Sequence, residues 1–491
     1  MTSLPGPHGN GDLGKEARSF ADFLARAGQS WWQMLPIGPA GYGDSPYSAQ
    51  SAFAGNPLLV DLDALGVEPP EETLPDGPVD YARAAAFRDK HLRRAFEAFQ
   101  RLPKKARRGY DRFVEAEADW LDDFALFHAL KRAHGEIEWT RWEKGYRLRR
   151  PDAMKRAKKE LAHEIAFAKF VQFRFDEQWR VFREYCREKS IGLIGDIPIF
   201  VAHDSADVWQ RRELFELDAN GLPLAVAGVP PDYFSATGQR WGNPLYRWPR
   251  IAKTRYAFWV ERFEKMLARF DAIRLDHFIG FVRYWRIPAS EPNAVKGKWM
   301  KGPGRALFDR LRKVHGELPL VAEDLGAVTP AVTALRDALD VPGIRLLQFG
   351  FGTDPQGPTF LPHNYVARSV AYTGTHDNDT LVGWFHDPGG GPDSTRTALE
   401  ADAERAHVRR YLGKTGERLD IEWEMIRLCM MSVANTTIFP MQDVLGLGSD
   451  ARMNRPGNAS GNWRYRLNPV HLTTALETRL LDMARTYGRA R

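Results

Sequence analysis

Seven short apolar runs, separated by helical stretches and each ending in polar residues, leave this chain few ways to fold. The runs end near residues 37, 200, 276, 323, 349, 375 and 440. They are apolar on both faces rather than alternating, so they read as strands buried in a parallel sheet with helices outside it. Such a sheet closes as a (β/α)8 barrel when it reaches eight strands. A chain of 491 residues with 43% hydrophobic content has room for one barrel plus insertions. The expected class is therefore α/β, with residues 1–491 forming a single barrel-based unit.

The intervening segments refine this picture. A Pro/Gly-rich loop over 2–14 opens a helix over 15–27, where Phe20, Phe23 and Leu24 recur at helical spacing. After the strand at 31–37, residues 41–48 combine glycine freedom with Tyr42 and Tyr47, a composition that suits a binding loop or a turn with packed tyrosines. About 140 residues of mostly helical pattern follow, with helices expected over 87–99, 112–134 and 157–189. A crossover between parallel strands needs only a few dozen residues, so 60–188 is expected to form a mainly helical insertion. Residues 214–248, rich in Pro and Gly, read as a long structureless loop of the functional kind.

Polar residues gather at one end of the strands. Asp196, Asp276, Glu323 with Asp324, Gln348, His376 with Asp377, and Gln442 with Asp443 all stand at or just past a strand's C-terminal end. In a (β/α)8 barrel that rim carries the active site, and separate strands supply its groups. The stretch 270–281 is the most telling. Period-2 spacing puts Arg274 and Asp276 on one face of a strand, where the guanidinium favours the charged carboxylate and fixes its orientation. The plainer alternative is a strand-end ion pair that only caps a turn.

Three carboxylates from separate strands, with Arg and His partners, fit glycosidic bond chemistry. A retaining mechanism needs an ionised nucleophile and a protonated acid about 5–5.5 Å apart. Asp276 fits the first. Glu323 follows an apolar strand and adjoins Asp324, so desolvation and a like charge are both expected to hold its proton. Asp377 is placed to hydrogen-bond sugar hydroxyls more strongly as the ring flattens.

Other chemistries find less support. The chain carries 69 basic and 63 acidic residues, net +6, and its basic runs lie among acidic residues in helical patterns, which argues against nucleic acid as partner. Cys186 and Cys429 stand far apart, without a disulfide or zinc spacing. There is no H-x-H or H-E-x-x-H, and His376 with Asp377 is the nearest approach to a metal motif. Gly446-Leu447-Gly448 is too weak to be a phosphate loop. With no signal-peptide pattern and no apolar run of about 18 residues, a soluble cytoplasmic protein is expected, with no membrane contact. The 15 Trp, 15 Tyr and 28 Phe exceed the needs of a core, so some are expected to face a ligand.

The chain resembles the 4-α-glucanotransferases known as amylomaltase or disproportionating enzyme, relatives of the α-amylases. The matching stretches are 2–9, 41–48, 195–201 (Gly-Asp-Ile-Pro-Ile-Phe-Val), 230–234 (Pro-Pro-Asp-Tyr-Phe), 238–244 and 274–277 (Arg-Leu-Asp-His). They continue with 322–326 (Ala-Glu-Asp-Leu-Gly), 375–377 (Thr-His-Asp) and 452–457 (Arg-Met-Asn-Arg-Pro-Gly), in order over nearly the whole chain. The resemblance implies Asp276 as nucleophile, Glu323 as acid/base and Asp377 as transition-state stabiliser. It also implies Arg274, His277 and His376 around the reacting sugar, and Asp232, Gln239 and Trp241 in a lid within 213–248. Tyr47, Asp196 and Asn454 become substrate contacts, and Tyr42 part of a second glucan-binding surface. Neither metal nor cofactor is implied; the partners are α-1,4-glucan donor and acceptor. Two departures stand out. Ala236 occupies a lid position that is acidic in many relatives. Relatives also carry an apolar first strand just before the Thr-Ser-Leu-Pro stretch, whereas Met1 directly precedes Thr2 here, so the eighth strand is expected upstream of this sequence.

Three functions compete on these grounds: a retaining transferase of α-1,4-glucan segments, a retaining α-glucan hydrolase, and a catalytically silent glucan binder that uses the same aromatics.

Overall fold

The computed structural model describes residues 1–231, 235, 237–391, 396–416, 419–458 and 460–490. In chain order the strands are β1 (Trp31–Gln33), β2 (Gly192–Ile197), β3 (Ala225–Val229), β4 (Gln239–Pro244), β5 (Ala272–Leu275) and β6 (Arg283–Pro288). Then come β7 (Lys298–Lys301), β8 (Leu320–Ala322), β9 (Gly343–Leu346), β10 (Ser369–Tyr372) and β11 (Thr436–Ile438).

Seven of these pair in parallel in the order β1-β2-β5-β8-β9-β10-β11, and they are the seven runs read from the sequence. Helices fill the connections, as in Ala257–Arg269 before β5 and Arg305–His315 before β8. The first buries Trp259, Phe263 and Met266 at helical spacing. Proline at the first turn starts Pro330–Ala338, and a capping box of Thr397 and Glu400 starts Ala398–Leu412. The sheet curls into a nearly closed (β/α)8-type barrel: the Tyr372 hydroxyl on β10, next to the last strand, donates to Gln33 Oε1 on β1, the first, at 2.6 Å, a contact that a flat sheet would not allow. β1 and β11 do not pair with each other. A cavity of about 260 Å³ opens between them, lined by Trp32, Met34, Tyr372, Thr437, Ile438 and Met441 among others.

Between β1 and β2 the chain builds helices, chiefly Tyr81–Gln100, Lys104–Ala116, Ala118–Ala133, Pro151–Glu160 and Ala162–Glu188. The helices expected over 112–134 and 157–189 each prove to be two, interrupted at Glu117 and Leu161. Their aromatic core continues into the barrel: Trp179 packs edge-on against Phe270, the residue that leads into β5, with ring centroids 5.3 Å apart. On the other side, fully buried Arg88 donates to Asn10 Oδ1, to the Val60 carbonyl and to Asp12 Oδ2, tying this helical layer to the N-terminal loop.

Residues 214–248 are not a structureless loop. β3 and β4 form a hairpin there, and with β6 and β7 they make a four-stranded antiparallel sheet in the order β4-β3-β6-β7. Gly228 makes the close approach possible, since a Cβ there would lie 2.1 Å from the Gln239 carbonyl oxygen.

Candidate active site

β5 delivers the centre of the site. Arg274 and Asp276 share a face as the spacing required, and Arg274 Nη1 donates to Asp276 Oδ1 at 2.9 Å. The same nitrogen donates to Asp196 Oδ2 at 2.7 Å, because Asp196 on β2 lies directly opposite Arg274 in register. One buried guanidinium thus serves two carboxylates. Burial works against its charge, but Asp196 and Asp276 outweigh that and push its pKa up. Asp196 is almost fully buried, and burial raises its pKa against the pull of Arg274. Its Oδ2 also accepts from the Tyr47 hydroxyl at 2.7 Å, while Oδ1 has no hydrogen-bond partner among the described residues.

β8 brings the second carboxylate alongside. Leu275 pairs with Ala322, so Asp276 and Glu323 leave adjacent strands side by side, where strand spacing is about 4.8 Å. The carboxyl of Glu323 is turned by His277, whose backbone N–H donates to Oε2 at 2.7 Å. His277 holds a left-handed conformation (φ 51°), uncommon for a side chain of its size, which aims that N–H. Burial raises the Glu323 pKa well above the ordinary carboxylate range; Arg274 opposes it and Asp276 adds to it. Asp324 contributes less than the sequence suggested, because it is engaged elsewhere: it accepts from Arg336 at 2.5 Å and from the Ile344 N–H at 2.8 Å.

The loop after β10 closes the ring of groups. His376 stacks on Tyr47 at 5.0 Å, and its Nδ1 lies 3.4 Å from the Tyr47 hydroxyl. Its Nε2 lies 3.4 Å from Asp377 Oδ1, the atom to which Asn454 Nδ2 donates at 2.6 Å. On the opposite side Trp241 of β4 sets its ring edge-on to His277 at 4.9 Å, with its Nε1 donating to Gln239 Oε1 at 3.0 Å. Burial lowers the His277 pKa to about 4, so the imidazole beside Trp241 is neutral at pH 7.

Asp276, Glu323, Asp377, Arg274, His277, His376, Asp196, Tyr47, Asn454, Gln239 and Trp241 therefore form one connected cluster at the C-terminal rim. Tyr42 stands apart from it, 81% exposed in a short turn. Asp232 and Ala236 lie outside the described residues. Not every polar strand end belongs to the cluster. Asp443 accepts from Thr373 and the Leu381 N–H, and Gln348 donates to the Asp379 carbonyl, so both pin loops. Two further members join them: Trp463, which no sequence feature singled out, and Arg452, which stood in the sequence only as part of the matching stretch 452–457. Arg452 donates to the Asp377 carbonyl, and the Trp463 ring lies 5.7 Å from His376 and 5.9 Å from Tyr47. Among the described residues, no group of three or more His, Cys, Asp or Glu is placed to hold a metal ion.

A parallel barrel with paired carboxylates, an arginine between two of them and aromatic walls has the architecture of an enzyme that works on carbohydrate. The glycoside hydrolase 77 family model, described as 4-alpha-glucanotransferase, matches residues 1–473. The chain is 49% identical over 494 residues to the 4-alpha-glucanotransferase of Thermus thermophilus, covering 98% of this chain and 96% of that one. The enzyme of the same name from Synechocystis is 45% identical over 500 residues, covering 99% and 96%. Among solved structures, amylomaltase from Streptococcus agalactiae in complex with acarbose superposes with a TM-score of 0.93 at 34% identity, covering 100% of this chain and 98% of that one. The chain belongs to the 4-alpha-glucanotransferase family, and its activity is the transfer of α-1,4-glucan segments. No helix among the described residues is long and apolar enough to cross a membrane.

Proposed function

We propose that transfer proceeds with retention through a covalent glycosyl–Asp276 intermediate. The Asp276 carboxylate attacks the anomeric carbon of a maltooligosaccharide donor while Glu323 gives its proton to the glycosidic oxygen. The C–O bond breaks and the leaving sugar departs with that proton. An acceptor then enters; Glu323, now a carboxylate, takes the proton from its 4-OH as that oxygen attacks C1 and frees Asp276. The observation that supports these roles best is the contrast between two neighbouring carboxylates. Asp276 is paired with a guanidinium that is itself held by Asp196, whereas burial and the charge of Asp276 keep the proton on Glu323.

Asp377, Arg274, His376, Tyr47, Asp196 and Asn454 make up the donor side, where Asp377 meets the sugar hydroxyls. Gln239 and Trp241, with Asp232 on the same segment, serve the acceptor side; residues 213–248 act as the lid and 60–188 as a helical insertion on the barrel. The neutral imidazole of His277 beneath Trp241 supports an acceptor subsite that takes an uncharged sugar. Tyr42, exposed and apart from the cleft, forms part of a second glucan-binding surface. A cytoplasmic location fits two buried thiols, Cys186 and Cys429, that stay unpaired.

The test is product analysis with maltotriose. Glucose together with a ladder of longer maltooligosaccharides is expected, and Asp276→Asn should still bind maltooligosaccharide while losing turnover. Glucose and maltose alone would mean that water, not a sugar, resolves the intermediate.

A further inference from the structure

Asp377 is the least supported of the three carboxylates by its own strand. It lies in the loop beyond β10, and its side chain is 50% exposed, so neither sheet pairing nor packing sets its direction. Its supports come from residues 452–463. Arg452 Nη2 donates to the Asp377 backbone carbonyl at 2.6 Å, and Arg452 Nε donates to the Asn454 carbonyl at 2.8 Å. Asn454 answers twice, through its N–H to the His376 carbonyl at 3.0 Å and through Nδ2 to Asp377 Oδ1 at 2.6 Å. The far end of this segment is anchored at Trp463, whose N–H donates to the Met453 carbonyl at 2.7 Å and whose own carbonyl accepts from the Tyr81 hydroxyl at 2.7 Å. Trp463 sits at φ 65°, a costly conformation for a bulky residue, and that backbone carries its ring against His376 and Tyr47.

We propose that Arg452 is a positioning residue for glucan transfer: its planar guanidinium joins the Asn454 loop to the Asp377 loop and so sets the angle at which the Asp377 carboxylate meets the reacting sugar. This rests on the reading of Asp377 as a sugar-contacting group. The geometry calls for arginine because two donors of one rigid fork reach carbonyls on two different loops, whereas a lysine ammonium is a single point on a flexible stem. Asn454 transmits the position, since its main chain is held by the same guanidinium while its side chain holds Asp377 Oδ1. A pin that merely stabilised the loops would change unfolding without changing turnover of the folded enzyme.

The experiment compares Arg452→Gln, Arg452→Lys, Asp377→Asn and the double variant Arg452→Gln/Asp377→Asn in maltotriose disproportionation, with melting temperature measured alongside. Misplacement of a reacting group by about 1 Å costs on the order of 100-fold. Arg452→Gln is expected to lose about that much kcat with KM unchanged. Arg452→Lys should recover part of the loss, and the double variant should be no slower than Asp377→Asn alone, because both act through one carboxylate. Wild-type kcat in Arg452→Gln, or losses that multiply in the double variant, would overturn the proposal. Full turnover in Asp377→Asn would instead remove the role of Asp377 itself, and the two failures are told apart by that single variant.

Discussion

Replacing Arg274 by methionine probes the electrostatic core of the site. The guanidinium lies 2.7 Å from Asp196 and 2.9 Å from Asp276, and the three side chains are 5%, 1% and 27% exposed. Methionine fills much of the space but leaves two carboxylates facing each other without a counter-ion. Breaking a buried ion pair by removing one partner costs about 3–5 kcal/mol. The upper half of that range applies to Asp196, which is sealed in, rather than to Asp276, which keeps access to water. The penalty should depend on pH in a definite direction. In the native protein burial already raises the Asp196 pKa while Arg274 restrains it, so the variant raises it further. A carboxyl whose pKa is raised on folding loses stability as pH climbs from the unfolded value, about 3.9, toward the folded one. The gap between wild type and Arg274→Met should therefore be small near pH 4 and widen toward pH 8. Urea unfolding at several pH values reads it directly. A gap that is constant with pH, or below about 1 kcal/mol at pH 8, would refute the reasoning, since it would mean that the pair contributes no more than a surface salt bridge.

Two further outcomes follow from the same structure. Because the first step needs the proton of Glu323, and burial with the Asp276 charge raises its pKa, kcat/KM should fall on the alkaline side as Glu323 ionises, and Glu323→Gln should lose both that limb and most of the rate. A rate that keeps rising into alkaline solution would assign the acid elsewhere. Arg88→Met, at a residue whose partners are Asn10, Val60 and Asp12 rather than members of the site, strands the Asp12 carboxylate and breaks the tie to Asn10 and Val60; a loss of about 3–5 kcal/mol in urea unfolding is expected, with kcat of the folded enzyme unchanged.

The sequence made the barrel legible because a strand covered on both faces must be apolar throughout, and a polar residue at its end then stands out. Arg274 and Asp276 were readable from the pleat alone, and the seven strands from their spacing. The antiparallel sheet was not readable. β6, Arg-Tyr-Trp-Arg-Ile-Pro, mixes charge with aromatics, and β3 and β4 sit among prolines and glycines that argue locally for a loop. Their pairing depends on long-range register and on Gly228, whose missing side chain admits the neighbouring backbone. Asp324 shows the limit of reading charge from adjacency: just past β8 it turns to Arg336 and the Ile344 N–H, so its charge is spent there while Asp276, from another strand, acts more strongly on Glu323. Trp463 was silent for a similar reason, and the role of Arg452 was not readable from its place in the matching stretch 452–457, since their partners lie on loops far away along the chain.

The central claim is that Asp276 forms a bond to the sugar. A fluorinated maltooligosaccharyl fluoride, whose leaving group needs no acid, can load the enzyme while Glu323→Gln slows its release. Peptide mass spectrometry after such labelling should place the glycosyl mass within residues 270–281, on Asp276. No adduct under conditions where fluoride is released, or an adduct on another carboxylate, would contradict the account.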